Sequence, residues 1–319
     1  MNTNVPHVIY EHPLAYLLGV EGIALLRGFT GEFDREFVES RIAEVRRLLD
    51  DESLADAAVE VDRVNTVDGY RVWSRTYDEG HNTAFDFDEP TIGEIIDRVP
   101  AGVALDAACG TGRWAGALTA RRHRVIGVDS SPDMLERARA RVPEGDFRLG
   151  DLHQLPVGDG EVDLIVCALA LTHLPALDPV LAEFARALRP GGHLVISDIH
   201  PEWILRGGIP TLRSPDGRPG RLPAHRHLVG DYLRAALGAG LQLRHCEEPR
   251  PAPTAFSDPP DAATPSTTLG PWELWPWVLA DLAPGAVRAA NAGIPAEIIW
   301  HFQASPAETA PAGHGSERS

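Results

Sequence analysis

The sequence predicts an α/β protein: a doubly wound, mostly parallel seven-stranded sheet with an N-terminal helical extension. Three observations lead there. From about residue 100, short apolar runs alternate with amphipathic helical stretches. A glycine-rich turn joins the first apolar run to the helix after it. Before residue 65, apolar residues follow helical spacing instead.

Residues 1–68 are expected to form the extension, acting as a lid. Leu14, Leu17, Leu18, Leu25 and Leu26 suit one helix. In a second, from Asp34 to Asp50, Phe37, Val38, Ile42, Val45, Leu48 and Leu49 share a face, with Asp34 as N-cap. The body spans 69–303. VALDA (103–107) reads as its first strand, RVIGVD (124–129) as the second with a helix from Pro132, and DFRLGD (146–151) as the third. VDLIVCA (162–168) is the fourth, with a helix around 178–188, and HLVISDI (193–199) the fifth, introduced by an RPGG turn. A helix at 231–240 and strands LQLRHCEE (241–248) and EIIWHFQ (297–303) complete the sheet. Residues 249–271, rich in Pro, Ser, Thr and Asp, predict a long loop within an insert near 249–295. Residues 304–319 read as a disordered tail.

The chain has 46 acidic and 29 basic residues, a formal charge of -17, and no lysine. Such a surface repels phosphate backbones, so nucleic acid is not expected as a partner. A neutral or cationic small molecule is easier to accept. Cys109, Cys167 and Cys246 are far apart and form no CxxC pair, which suggests neither a metal site nor a disulfide framework and favours a reducing compartment. No basic-then-apolar leader is visible, and no apolar run approaches the ~18 residues of a membrane span. The expectation is a cytoplasmic monomer or homodimer without a membrane partner.

The chemistry begins at LDAACGTGRWAGAL (105–118), whose Gly110 and Gly112 let a ligand approach the backbone. Taken alone, Gly110, Gly112 and Gly116 with Asp129 also fit a loosened dinucleotide fingerprint, leaving a nicotinamide-dependent oxidoreductase open. That reading lacks an evident Tyr-x-x-x-Lys pair.

Four segments in order, D-x-x-C-G-T-G from Asp106, GVDSSPDML (127–135), GDLHQLPVGDGEVDLIVCALALTHL (150–174) and LRPGGHLVISD (188–198), resemble the motifs of class I S-adenosylmethionine-dependent methyltransferases. The likeness covers roughly residues 70–248 and is closest to the small-molecule branch that includes quinone and natural-product enzymes. It implies the Rossmann-like fold of that class, S-adenosylmethionine as cofactor and a small organic acceptor; O-methylation is the first expectation, with nitrogen and carbon left open. By the same resemblance, Asp129 would hold the ribose hydroxyls, with Ser130 beside it. Gly110 and Gly112 would line the methionine part, and Asp106 would lie near its amino group. Asp151 and the Leu152 backbone would serve the adenine, Met134 would pack on it, and Ala168 would sit near the amino-acid end. GYRVWSRTYDEG (69–80) resembles the aromatic segment preceding the core, with Tyr77 the first candidate for cofactor contact, then Tyr70 and Trp73.

A general base is needed only for a protonated nucleophile, and histidine is the usual one near neutral pH. His200, after the fifth strand, is the first candidate and His173 the second; His225 and His227 are further loop histidines. Residues 1–80, 200–228 and 249–295 are expected to build the acceptor pocket, with Trp203, Trp272, Trp275 and Trp277 supplying aromatic surface. A cofactor-retaining enzyme that does not methylate, or a binding protein, is the remaining alternative.

Overall fold

A computed structural model describes residues 8–79, 84–214, 216–251 and 268–306. β1 (Val8–Glu11) leads into α1 (Pro13–Phe29), α2 (Arg35–Leu49) and α3 (Glu52–Ala55), then β2 (Val59–Arg63) and α4 (Thr66–Trp73). The body follows as α5 (Phe85–Ile96), β3 (Val103–Ala107), α6 (Arg113–Ala120), β4 (Arg124–Asp129), α7 (Pro132–Arg141), β5 (Asp146–Leu149), β6 (Val162–Ala168), α8 (Asp178–Ala187) and β7 (Leu188–Ile199). Then come α9 (Pro201–Leu205), β8 (Thr211–Arg213), β9 (Pro219–Arg221), α10 (Val229–Gly238), β10 (Leu241–Glu247), α11 (Pro284–Asn291) and β11 (Glu297–Ala304).

The main sheet has seven strands in the order β10-β11-β7-β6-β3-β4-β5. β3 to β7 run parallel, while β11 is antiparallel to β7 and β10. Apolar residues pack on both faces: Leu105, Ile126 and Ile165 on one side, Ala104, Val125 and Leu164 on the other. This is why the strands read as continuous apolar runs instead of alternating ones. The chain steps from β3 to β5 in one direction, then returns through β6 and β7 in the other. The carboxyl ends of β3 and β6 therefore flank a switch-point crevice.

Two departures from the sequence reading follow from local geometry. β7 begins at Leu188, not His193: Val162 pairs with Leu188 and Leu164 with His193, so Arg189–Gly192 bulges within the strand. A second sheet, β1-β2-β9-β8, lies in regions read as helical or as loop. Its strands are three to five residues long. β2 pairs with β9 through Asp62 and Gly220, a partner far along the chain that local patterning cannot reveal.

The extension packs against the insert. Leu17, Val20 and Ala24 of α1 share a core with Ala286, Ala289 and Ala290 of α11. Arg27 Nη1 donates to the Ala292 carbonyl at 2.8 Å, closing the end of α11. Trp272 belongs to this core, and its Nε1–H donates to Glu11 Oε2 at 3.2 Å. It therefore does not supply pocket surface as expected. Residues 252–267 of the long loop and 307–319 of the tail lie outside the described residues; the chain before them remains in β11 to Ala304. Among the described residues, no helix is long and apolar enough to cross a membrane.

Glu11 ties β1 to β9 within the second sheet. Arg221 on β9 is buried, donating through Nη2 to Glu11 Oε2 at 2.9 Å and through Nη1 to the Ile209 carbonyl at 2.5 Å. Removing one member strands the other without its counter-charge. Arg221→Ala should cost about 3 kcal/mol in urea unfolding. A loss below about 0.5 kcal/mol, the scale of ordinary surface substitutions, would contradict a structural role for the pair.

Candidate active site

The crevice is built around the turn after β3. Gly110 and Gly112 both adopt positive φ, +52° and +83°. They do different work. A Cβ on Gly112 would lie 3.2 Å from Ala138 of α7, so this glycine serves helix packing. A Cβ on Gly110 would meet nothing within 4 Å, because this residue faces the cleft.

Asp129 ends β4 and ties the turn to it. Its Oδ2 accepts from the Gly110 N–H at 2.8 Å, and Oδ1 accepts from the Ser131 N–H at 2.8 Å. Burial pushes its carboxyl above the usual range, against the pull of these N–H groups. Each oxygen keeps acceptor capacity for a hydroxyl. Gly110, Asp129, Ser130, Asp151, Leu152 and Ala168 line a narrow chamber of about 120 Å³ at the carboxyl edge. Tyr70 and Tyr77 cover it. The residues assigned to cofactor by resemblance thus divide. Tyr77 joins these six on the wall, whereas Asp106, Gly112 and Met134 do not line the chamber. Asp106 is buried, and its Oδ2 accepts from the Ala115 N–H at 2.7 Å in the first turn of α6. Met134 is buried in the first turn of α7, where its own N–H donates to the Ser131 hydroxyl.

The chamber opens into a larger cavity of about 550 Å³, with Tyr70, Tyr77, Leu169 and His173 common to both. Trp73, Phe87, Trp203, Trp275 and Trp277 give the larger cavity an aromatic wall. Residues 8–65 line neither cavity; α4 and the chain up to Tyr77 do. This segment is clamped to the glycine turn. Thr111 Oγ1 donates to Asp78 Oδ1 at 2.9 Å, and Arg141 Nη2 pairs with the same oxygen at 2.8 Å.

His173 and His200 fare differently. His173 Nδ1 lies 2.7 Å from the Pro223 carbonyl, which only accepts, so Nδ1 carries the hydrogen. Nε2 is then free to accept from the Tyr70 hydroxyl, 3.0 Å away. Burial lowers the His173 pKa, keeping the ring neutral. His200, the first candidate from the sequence, does not line either cavity. It caps α9: Nδ1 accepts from the Glu202 N–H at 3.2 Å, and Nε2 faces Glu248 Oε1 at 3.3 Å. His225 and His227 also lie off the walls, and His227 Nε2 donates to the Leu174 carbonyl at 2.8 Å.

One wall residue escaped the sequence reading. Glu297, the first residue of β11, lines the larger cavity with 1% of its surface exposed. Its place in an apolar strand, EIIWHFQ, gave only a faint signal: a lone acid ahead of a buried run.

The crevice and its glycine turn have the architecture of the class I, S-adenosylmethionine-dependent methyltransferases. Residues 105–196 match the family described as methyltransferase domain. An uncharacterized 37.1 kDa protein in transposon TN4556 of Streptomyces fradiae is 36% identical over 156 residues, covering 47% of this chain and 43% of that protein. A malonyl-[acyl-carrier protein] O-methyltransferase of Laribacter hongkongensis is 38% identical over 124 residues, covering 35% and 41%. The chain thus spans less than half the length of these two relatives. A chain from the complex of the Haloferax volcanii Trm112 methyltransferase activator with a methyltransferase shares the fold, with TM-score 0.51, 21% identity, and coverage of 75% of this chain and 98% of that one. The domain match speaks against the nicotinamide reading.

Asp106 offers a test of the turn's electrostatics. Burial raises its pKa from 3.8 to about 7, opposed by the Ala115 N–H and Arg113. The folded state therefore holds an extra proton between about pH 4 and pH 7, and this group's stabilising contribution falls as pH rises through that window. Asp106→Asn removes the term. Mutant-minus-wild-type unfolding free energy should climb by up to about 1.4 kcal/mol per pH unit between about pH 5 and 7. A pH-independent difference would show that Asp106 is ionised throughout.

Proposed function

We propose that the protein transfers a methyl group from S-adenosylmethionine to a hydroxyl of a small organic acceptor. The observation that carries this reading is the meeting of two chambers at Tyr70 and His173. One holds a carboxylate at a strand end beside an open glycine; the other is aromatic. The donor set fits the cofactor: Asp129 retains acceptor capacity for two hydroxyls, and Gly110 leaves the backbone clear. Gly110, Asp129, Ser130, Asp151, Leu152 and Ala168 would hold it, with Tyr77 above. When bound, S-adenosylmethionine supplies an electrophilic methyl group on a sulfonium.

The chain's own residues then position, exclude water and move one proton. A chamber of about 120 Å³ is small beside the roughly 300 Å³ or more of ordinary ligand sites. The 66–79 segment, whose Tyr70 and Tyr77 cover this chamber, would swing outward to admit the cofactor and shut out solvent on its return. On this reading the lid is α4 and the Tyr77 segment, with α1 to α3 as its scaffold. An acceptor hydroxyl hydrogen-bonded to Tyr70 Oη passes its proton through that hydroxyl to His173 Nε2. Burial keeps Tyr70 well above the ordinary tyrosine range, so a relay suits it better than a standing tyrosinate. The acidic surface favours a small molecule over nucleic acid. The similarity to a malonyl-[acyl-carrier protein] O-methyltransferase is compatible with transfer to oxygen.

Calorimetry should register S-adenosylhomocysteine and no NAD. Asp129→Ala should weaken that binding by about 1–3 kcal/mol, the scale for unpaired buried donors; unchanged affinity removes Asp129 from the ribose role. His173→Ala should lower turnover by about 10²–10⁴, whereas His200→Ala should leave turnover close to wild type if the protein stays folded. In the wild type, kcat should hold from pH 8 to about 7 and fall only below the ordinary histidine value of about 6.5, because burial depresses the His173 pKa. An unaltered pH profile in His173→Ala would contradict the relay.

A further inference from the structure

The wall of the larger cavity has a chemistry that methyl transfer does not use. Glu297 is buried there, and neither of its carboxyl oxygens has a hydrogen-bond partner among the described residues. Nearby carboxyls are provided for. Asp88 receives both Arg113 Nη groups, at 2.7 and 2.6 Å, and the Ser197 hydroxyl at 3.0 Å. Asp198 receives the Tyr232 hydroxyl at 2.7 Å and the Ile199 N–H at 2.9 Å. Glu297 and Asp88 thus face the same guanidinium, and that guanidinium is committed to Asp88 and Glu89.

We propose that Glu297 is the recognition site for a protonated amine, making the acceptor an aromatic molecule that carries an alkylammonium arm; this inference rests on the methyl-transfer reading. The surroundings favour a cation. Trp203 and Trp277 lie with ring centroids 5.9 Å apart, and Trp275 adds a third indole to the wall. Indole faces attract ammonium groups. No arginine lines the cavity among the described residues, and the chain has no lysine, so a carboxylate acceptor would meet no counter-charge. The spacing also suits such a molecule. Glu297 pairs with Ile199 at the end of β7, and β7 borders β6, beyond whose end His173 lies. Two strand spacings put the ends of β11 and β6 roughly 10 Å apart across the sheet. A phenol with a two-carbon amine arm covers a comparable length, its hydroxyl at Tyr70 and its nitrogen at Glu297.

The charged groups facing Glu297 are Asp88 from α5, Arg113 from α6 and Asp198 from β7. At the N-cap of α9, His200, whose N–H donates to the Ala296 carbonyl, is paired with Glu248. Burial first, then Asp88 and Asp198, raise the Glu297 pKa to about 9, against Arg113. At pH 7 an arriving ammonium therefore ionises a neutral carboxyl, and one proton leaves to buffer.

The test is calorimetry on full-length protein loaded with S-adenosylhomocysteine, using tyramine, p-ethylphenol, p-hydroxyphenylacetone and p-hydroxyphenylpropionate as probes. Tyramine should bind about tenfold or more tighter than p-ethylphenol, the scale of a hydrogen bond to a charged group. The propionate should bind most weakly. Tyramine binding at pH 7 should release a proton, seen as a dependence of heat on buffer ionisation enthalpy. Glu297→Gln should reduce tyramine to the affinity of p-ethylphenol and abolish proton release. Unchanged affinity for S-adenosylhomocysteine and p-ethylphenol reports that this variant is folded. Equal binding of tyramine and p-ethylphenol overturns the inference. So does tightest binding of the ketone, which would make Glu297 a neutral donor to a carbonyl. If the variant does not fold, the wild-type probe series and its proton release decide alone. Failure to bind S-adenosylhomocysteine would instead overturn the methyl-transfer reading.

Discussion

Asp129 fastens the glycine turn after β3 to the end of the neighbouring strand, and the active-site crevice takes its shape from that link. Its two oxygens accept from the N–H groups of Gly110 and Ser131, one on each side of the crevice floor. The turn can then hold Gly110 in a left-handed conformation facing open space, while Gly112 lets α6 approach α7. Above this floor, Asp78 bonds Thr111 of the same turn, so the covering aromatic segment is referenced to the point it must close over. Floor and cover thus share one short stretch of backbone.

The buried charges behind the crevice follow a different logic. Arg113 stacks over Phe85 at 4.0 Å and pairs with Asp88, fixing α5 against α6 with its charge compensated. Asp198 is satisfied by neutral donors. Glu297, on the wall of a cavity, has no hydrogen-bond partner for either carboxyl oxygen among the described residues. Burial of an unpaired acid costs stability, which makes its position informative about what the cavity takes.

The sheet was legible in the sequence because both its faces are buried, so strands such as VALDA and VDLIVCA appear as unbroken apolar runs. Asp129 and Gly110 were legible because their spacing follows directly from a strand, a turn and the next strand. The second sheet was not, since β2 and β9 pair across more than 150 residues and each is too short for alternation to register. The histidines show the same limit. His200 and His173 both follow strand ends, and only the packing of Pro223 and Tyr70 around His173 distinguishes them. Glu297 was invisible for a related reason: its significance lies in partners it does not have, which local sequence cannot express.

The most direct test of the two-chamber account is a crystal structure of the protein with S-adenosylhomocysteine bound. The account predicts ribose hydroxyls on the Asp129 carboxylate, and a thioether directed to the junction of the chambers beside Tyr70 and His173. Ligand seated elsewhere, or a thioether turned away from the aromatic cavity, would contradict it.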